Sequence, residues 1–127
     1  MARQLPTRQE VAGFLTDFKH AAAIGWVQWL PRRYDRPHLA GLEIMKSEAI
    51  ELIKQLTPGN YSSGPEPDHV NPSRRVWVFG RHVAGTEAYI KLALQPDKTK
   101  RHIVYGLIWS FHGADRPRAY PLRGKKQ

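Results

Sequence analysis

The chain predicts an α+β fold in which two to three helices pack on one face of a small antiparallel sheet. Apolar residues recur at helical spacing as far as Leu56, and the period changes to two from Arg74 onward. Between the first two alternating runs stands Ala84-Gly85, which has the length and chemistry of a tight hairpin loop. At 127 residues the chain fits a single domain, 1–127, with one hydrophobic core.

Thr7-Arg8-Gln9-Glu10 has the spacing of a capping box, and Val11, Phe14, Leu15, Phe18, Ala21 and Ala22 follow at helical intervals, so a first helix is expected over Arg8 to Ala23. Gly25 ends it, and Trp26 to Leu30 reads as a short strand before Pro31. Asp35 as N-cap and Pro37 in a first turn predict a short helix to about Gly41. Ser47, Glu48 and Glu51 open a third helix with an apolar stripe of Ala49, Ile50, Ile53 and Leu56, stopped by Thr57-Pro58-Gly59. Asn60 to Ser73, with three Pro and Gly64, reads as an irregular loop of a length that is often functional.

Strands are expected at Arg74 to Val83, Thr86 to Leu94 and Arg101 to His112. A two-residue loop at Ala84-Gly85 sets Val83 against Thr86, Phe79 against Ile90 and Trp77 against Leu92. With Leu94, the last two pairs make the apolar face that helices cover. The other face collects Val78, Gly80, His82, Glu87, Tyr89 and Lys91. In the last strand, strict alternation puts Ile103, Tyr105, Leu107, Trp109 and Phe111 on one side, and His102, Val104, Ile108, Ser110 and His112 on the other. The tail over 114–127, with five Lys/Arg and one Asp, reads as basic and partly mobile.

Twenty Lys+Arg against eleven Asp+Glu give a net charge of +9, so the surface attracts polyanions, nucleic acid foremost. The absence of Cys excludes disulfides and thiol catalysis and suits a reducing cytoplasm. Neither a signal-peptide core nor a membrane-length apolar run is present, so a cytoplasmic protein is expected. The six His form no metal-ligand motif with the carboxylates, and no phosphate-binding Gly-rich loop or nucleophile elbow occurs, so neither metal nor cofactor is expected.

Metal-free RNA cleavage requires a base for the 2′-hydroxyl, a cation for the crowded phosphate and an acid for the departing oxygen. His112, Lys91 and Tyr89 are such a set on the face not needed for helix packing, with Arg81, His82, Arg101 and Tyr61 as RNA-contacting candidates. Each has a plainer reading: a strand Lys is ordinarily solvated, a strand Tyr packs across strands, and a His at a strand end hydrogen-bonds a loop. Pattern alone therefore defines a basic site on an open sheet face.

The series Leu56, Asn60-Tyr61, Gly64-Pro65 and Asp68, then Val76-Trp77-Val78-Phe79-Gly80, then Gly85 and Tyr89-Ile90-Lys91-Leu92, then Ser110-Phe111-His112, Pro117 and Tyr120-Pro121 resembles the MqsR-like toxin family. Phe14-Leu15, Phe18-Lys19, Leu39 and Leu42-Glu43-Ile44 are similar to its helical half. The resemblance implies a RelE-like fold and an mRNA endoribonuclease of a type II toxin–antitoxin system, neutralised by a cognate antitoxin protein. It matches Tyr89 and Lys91 to the Tyr-x-Lys strand motif and sets His112 where the best-known branch has Lys. That branch also has Lys where Ser63 stands and Gln where Val78 stands. The alternative is a non-catalytic basic module of the same fold, binding RNA or the antitoxin. A DNA-binding regulator is disfavoured, since Ser47 to Leu56 begins acidic and carries only Lys54.

Overall fold

A computed structural model describes residues 4–31, 37–100 and 102–123. Helix α1 spans Arg8–Ala23, the predicted range. The Thr7 hydroxyl accepts from the Glu10 amide at 3.0 Å, and the Glu10 carboxylate accepts from the Thr7 amide at 2.8 Å, so both halves of the capping box form. At the other end the Trp26 and Gly25 amides donate back to Ala21 and Ala22, closing the last turn. Strand β1, Val27–Trp29, follows directly.

Helix α2 is Lys46–Ile53, shorter than Ser47 to Leu56 and opened one turn position earlier. The Met45 amide donates to the Glu48 carboxylate at 2.8 Å, so Glu48, and not Ser47, caps it. The predicted helix toward Gly41 lies partly outside the described residues; 38–41 form a turn.

The stretch expected to be an irregular loop contains strand β2, Tyr61–Pro67. It pairs antiparallel with strand β3, Arg75–Val83, in a register that shifts twice, between Tyr61 and Ser63 and between Ser63 and Glu66. β2 is the sheet edge, where proline's missing N–H deprives no neighbour of a hydrogen bond. Gly64 has φ +98°, and a Cβ there would lie 2.7 Å from the Val76 carbonyl, so glycine permits this close pairing. Asp68 ends the strand and gathers the turn back to β3. Its carboxylate accepts from the Val70 and Asn71 amides and from Nε and Nη2 of Arg74 at 3.2 and 2.5 Å. Burial alone would raise the Asp68 carboxyl; the Arg74 guanidinium and the two amides outweigh it and hold the group below its usual value.

Strand β4, Thr86–Pro96, and strand β5, Val104–Gly113, complete a five-stranded sheet in the order β1-β5-β4-β3-β2. The hairpin register is as counted: Val83 opposes Thr86, Phe79 opposes Ile90 and Trp77 opposes Leu92. The sheet is mixed and not wholly antiparallel, because β1 runs parallel to β5. Nothing in β1 marks its partner, which lies beyond α2 and three further strands.

Strict alternation fails in β5. Lys91 opposes Ser110 but Leu92 opposes Ile108, so Trp109 is the extra residue of a bulge. Ile108 therefore joins the core under the helices, while Leu107 turns to the other face beside Val76 and Ala93. The main core lies between α1, α2 and the sheet: Phe14 stacks on Trp77 at 4.9 Å, and Phe18, Ile53, Phe79, Ile90, Leu92 and Phe111 are buried. Each such side chain contributes about 1.5–3 kcal/mol through burial. Within the tail, Leu122 lies against the main core and its carbonyl accepts from Arg8.

Candidate functional site

Two cross-strand rows organise the sheet face opposite the helices. Gly80, Tyr89 and His112 oppose one another on β3, β4 and β5, and Val78, Lys91 and Ser110 form the next row. Directly opposed residues project to the same side, so the hairpin loop and the β4–β5 pairing bring Tyr89, Lys91 and His112 together. The Tyr89 and His112 rings stack with centroids 5.3 Å apart and planes 13° apart. His112 is only 8% exposed, and its Nδ1 lies 2.9 Å from the Gly113 carbonyl. A carbonyl only accepts, so Nδ1 carries the proton and, in the neutral ring, Nε2 carries the lone pair.

The bulge turns Trp109 to the same side as Lys91. The Lys91 ammonium sits 5.8 Å from the Trp109 ring centroid and the Arg74 guanidinium 5.5 Å from it. Arg74 is held in place by Asp68 and by the Gln95 side chain, which accepts from Nη1 at 3.0 Å. The result is a fixed cation and a longer-stemmed one over a half-buried indole.

The tail crosses this face as a strap held by Glu87. The Ala114 amide donates to the Glu87 carbonyl, and the Arg118 amide to Glu87 Oε1 at 3.0 Å. The Tyr120 hydroxyl donates to Oε2 at 2.5 Å. Burial opposes ionisation of Glu87, but the Tyr120 and Arg118 hydrogen bonds, with the charges of His82 and Arg118, hold its carboxyl below the ordinary value. Burial, and then the Glu87 carboxylate, push the Tyr120 phenol up to about 12. Glycine at position 80 makes room: a Cβ there would lie 2.5 Å from the Tyr120 hydroxyl. The strap also sets the Arg118 guanidinium 4.9 Å from the centre of the Tyr89 ring.

The remaining predicted contacts are scattered. Tyr61 is buried in the main core, 1% exposed, edge-on to Trp77 and Phe79, with its hydroxyl donating to the Gly64 carbonyl; that placement withdraws it from an RNA surface. Arg81 projects to the helix side, where its Nη1 reaches the Leu52 carbonyl and the Gln55 side chain beyond the end of α2. His82 is exposed and opposes Glu87 one row from Tyr89. Arg101 lies outside the described residues. Trp109, Arg74 and Arg118 were not anticipated. A bulge leaves no mark in an alternating pattern, and the strap has no period at all.

An imidazole stacked on a phenol, with cations on either side, can bind phosphate and move protons without an enclosed cavity. Among the described residues no three His, Asp or Glu side chains gather as a metal site, and no helix is long and apolar enough to cross a membrane. No family model, curated protein or solved structure matches the chain.

Proposed function

We propose that the protein is an endoribonuclease toxin of a type II toxin–antitoxin system, a RelE-like, MqsR-like enzyme that cleaves mRNA in the cytoplasm without a metal. One observation supports this best: His112 and Tyr89 stack on the sheet face opposite the helices, with Lys91 in the adjoining row. In this reading Nε2 of His112 takes the proton of the ribose 2′-hydroxyl, which attacks the phosphorus as the bond to the 5′ oxygen breaks. Lys91 stabilises the charge that builds on the phosphate, and Tyr89 assists proton transfer to the leaving oxygen or stacks a base. The products are a 2′,3′-cyclic phosphate and a 5′-hydroxyl. Purified protein incubated with RNA in EDTA tests this, with His112→Ala excluding contaminating nuclease. Fragments with 5′-phosphate ends, formed only when magnesium is added, would refute it.

A second reading is favoured by the burial of His112 and by Ser63 and Val78 in place of the family's polar groups: a non-catalytic module that binds RNA or an antitoxin through the same basic face. Retarded but intact RNA in the EDTA experiment is its signature. In either reading a cognate antitoxin covers this face, and relief of growth arrest by a co-expressed neighbouring gene product tests that partnership.

A further inference from the structure

Tyr89 stands between two unlike neighbours. His112 on β5 stacks against its ring, while Gly80 on β3 offers no side chain at all. The space over Gly80 is taken by the strap, whose Tyr120 hydroxyl comes so close that even a methyl group at position 80 would collide with it. The same strap delivers Arg118 to the Tyr89 ring.

The state of that guanidinium is unusual. Arg118 is half-buried and its Nε is shielded from solvent, yet no hydrogen bond or ion pair engages the side chain among the described residues. A buried N–H without a protein acceptor is costly, and in folded proteins such a group is met by ordered water or by a ligand. Glu87, whose charge acts on it, already accepts the Tyr120 hydroxyl on one oxygen and the Arg118 backbone amide on the other. Arg118 is therefore a cation placed by backbone and aromatic contacts and by the charge of Glu87, with no protein acceptor on its planar fork of donors among the described residues. That fork matches two oxygens of a phosphate. Lys91 is less well placed, since its ammonium lies over Trp109 in the next row.

We propose that Arg118 is the phosphate-binding residue of this site, carried to the Tyr89–His112 pair by the C-terminal strap, so that a phosphodiester lying over Tyr89 meets guanidinium and imidazole together. That this phosphate belongs to RNA rests on the ribonuclease reading; the phosphate site itself does not. The strap is then part of the site and not a cover to be removed.

The test is titration of the full chain with uridine 3′-monophosphate, followed through the ring resonances of His112 and by calorimetry, beside RNA cleavage in EDTA. Arg118→Ala should weaken nucleotide binding roughly 10- to 100-fold, the loss expected for a charge-assisted hydrogen bond, and Arg118→Lys should recover part of it. Lys91→Ala should weaken it less. If Arg118→Ala does not fold, Arg118→Gln gives the same comparison while keeping most of the stem. The proposal is overturned if the wild type does not bind the nucleotide, if binding leaves the His112 signals unmoved, or if the Arg118 variants bind the nucleotide as the wild type does. Arg118-dependent binding with RNA left intact upholds the phosphate site and overturns the ribonuclease reading instead.

Discussion

Gly80→Ala isolates the junction between the sheet and the strap. The new Cβ would lie 2.5 Å from the Tyr120 hydroxyl and 3.1 Å from its ring, and 3.2 Å from the Ala88 carbonyl. The backbone carbonyl is fixed, so Tyr120 must give way, and its hydroxyl leaves Glu87. A hydrogen bond to a charged group is worth about 1.5–3 kcal/mol, and alanine in place of glycine within a strand returns about 0.5–1 kcal/mol of backbone entropy. The net cost should be about 1–2 kcal/mol, a fall in Tm of roughly 3–8 °C for a chain of this size. Thermal melts of Gly80→Ala, Tyr120→Phe and the double variant form the assay. In the Tyr120→Phe background the hydroxyl is already gone, so most of the cost of Gly80→Ala should disappear. An undiminished cost in that background would falsify the account of Gly80 as the seat for Tyr120.

Three further outcomes follow from the same contacts. Asp68→Asn removes one partner of a pair that is 5% and 16% exposed, and should cost about 3 kcal/mol while releasing Arg74 from Trp109; since the folded Asp68 carboxyl lies below its unfolded value, the stability it adds is present above pH 3.8 and lost on acidification through the folded value, so the variant should lose part of the acid limb in denaturant melts at graded pH. Tyr120 carries the opposite sign: its folded value is raised from 10.0 to about 12, so its contribution is complete below pH 10 and fades between there and about pH 12, and Tyr120→Phe should show a flatter alkaline limb; identical limbs would count against the Glu87 hydrogen bond. Tyr61→Phe should cost about 1 kcal/mol in unfolding and leave RNA retention on a filter unchanged, whereas Lys91→Ala should lower retention with no change in Tm.

The parts of this fold legible from residue order are those fixed by short-range counting. The Thr7–Glu10 box set the start of α1, and the loop at Ala84-Gly85 fixed every pair of the β3–β4 hairpin, which is why Tyr89 and Lys91 fell on the correct face. The errors arose where a local rule met a tertiary exception. Gly64, Pro65 and Pro67 are turn formers by propensity, yet on an edge they cost the ladder nothing and β2 forms. Trp109 inserts one residue without changing the composition of its strand, and so exchanges the roles of Leu107 and Ile108. The Glu87 carboxylate holds the strap through Arg118 and Tyr120, some thirty residues further along. No period announces a contact of that kind.

The placement of β5 bears on when this protein can finish folding. It is the last strand in chain order and yet lies inside the sheet, with β1 on one side and β4 on the other. As the polypeptide leaves the ribosome, α1, α2 and the β2–β3–β4 meander emerge first, with the edge of β4 unpaired and β1 without any neighbour. Only when Val104–Gly113 clears the exit tunnel do both gaps close, and the same event brings His112 to Tyr89. Completion of the hydrophobic layer and the meeting of His112 with Tyr89 are thus a single late step, and a nascent chain stalled before it carries neither.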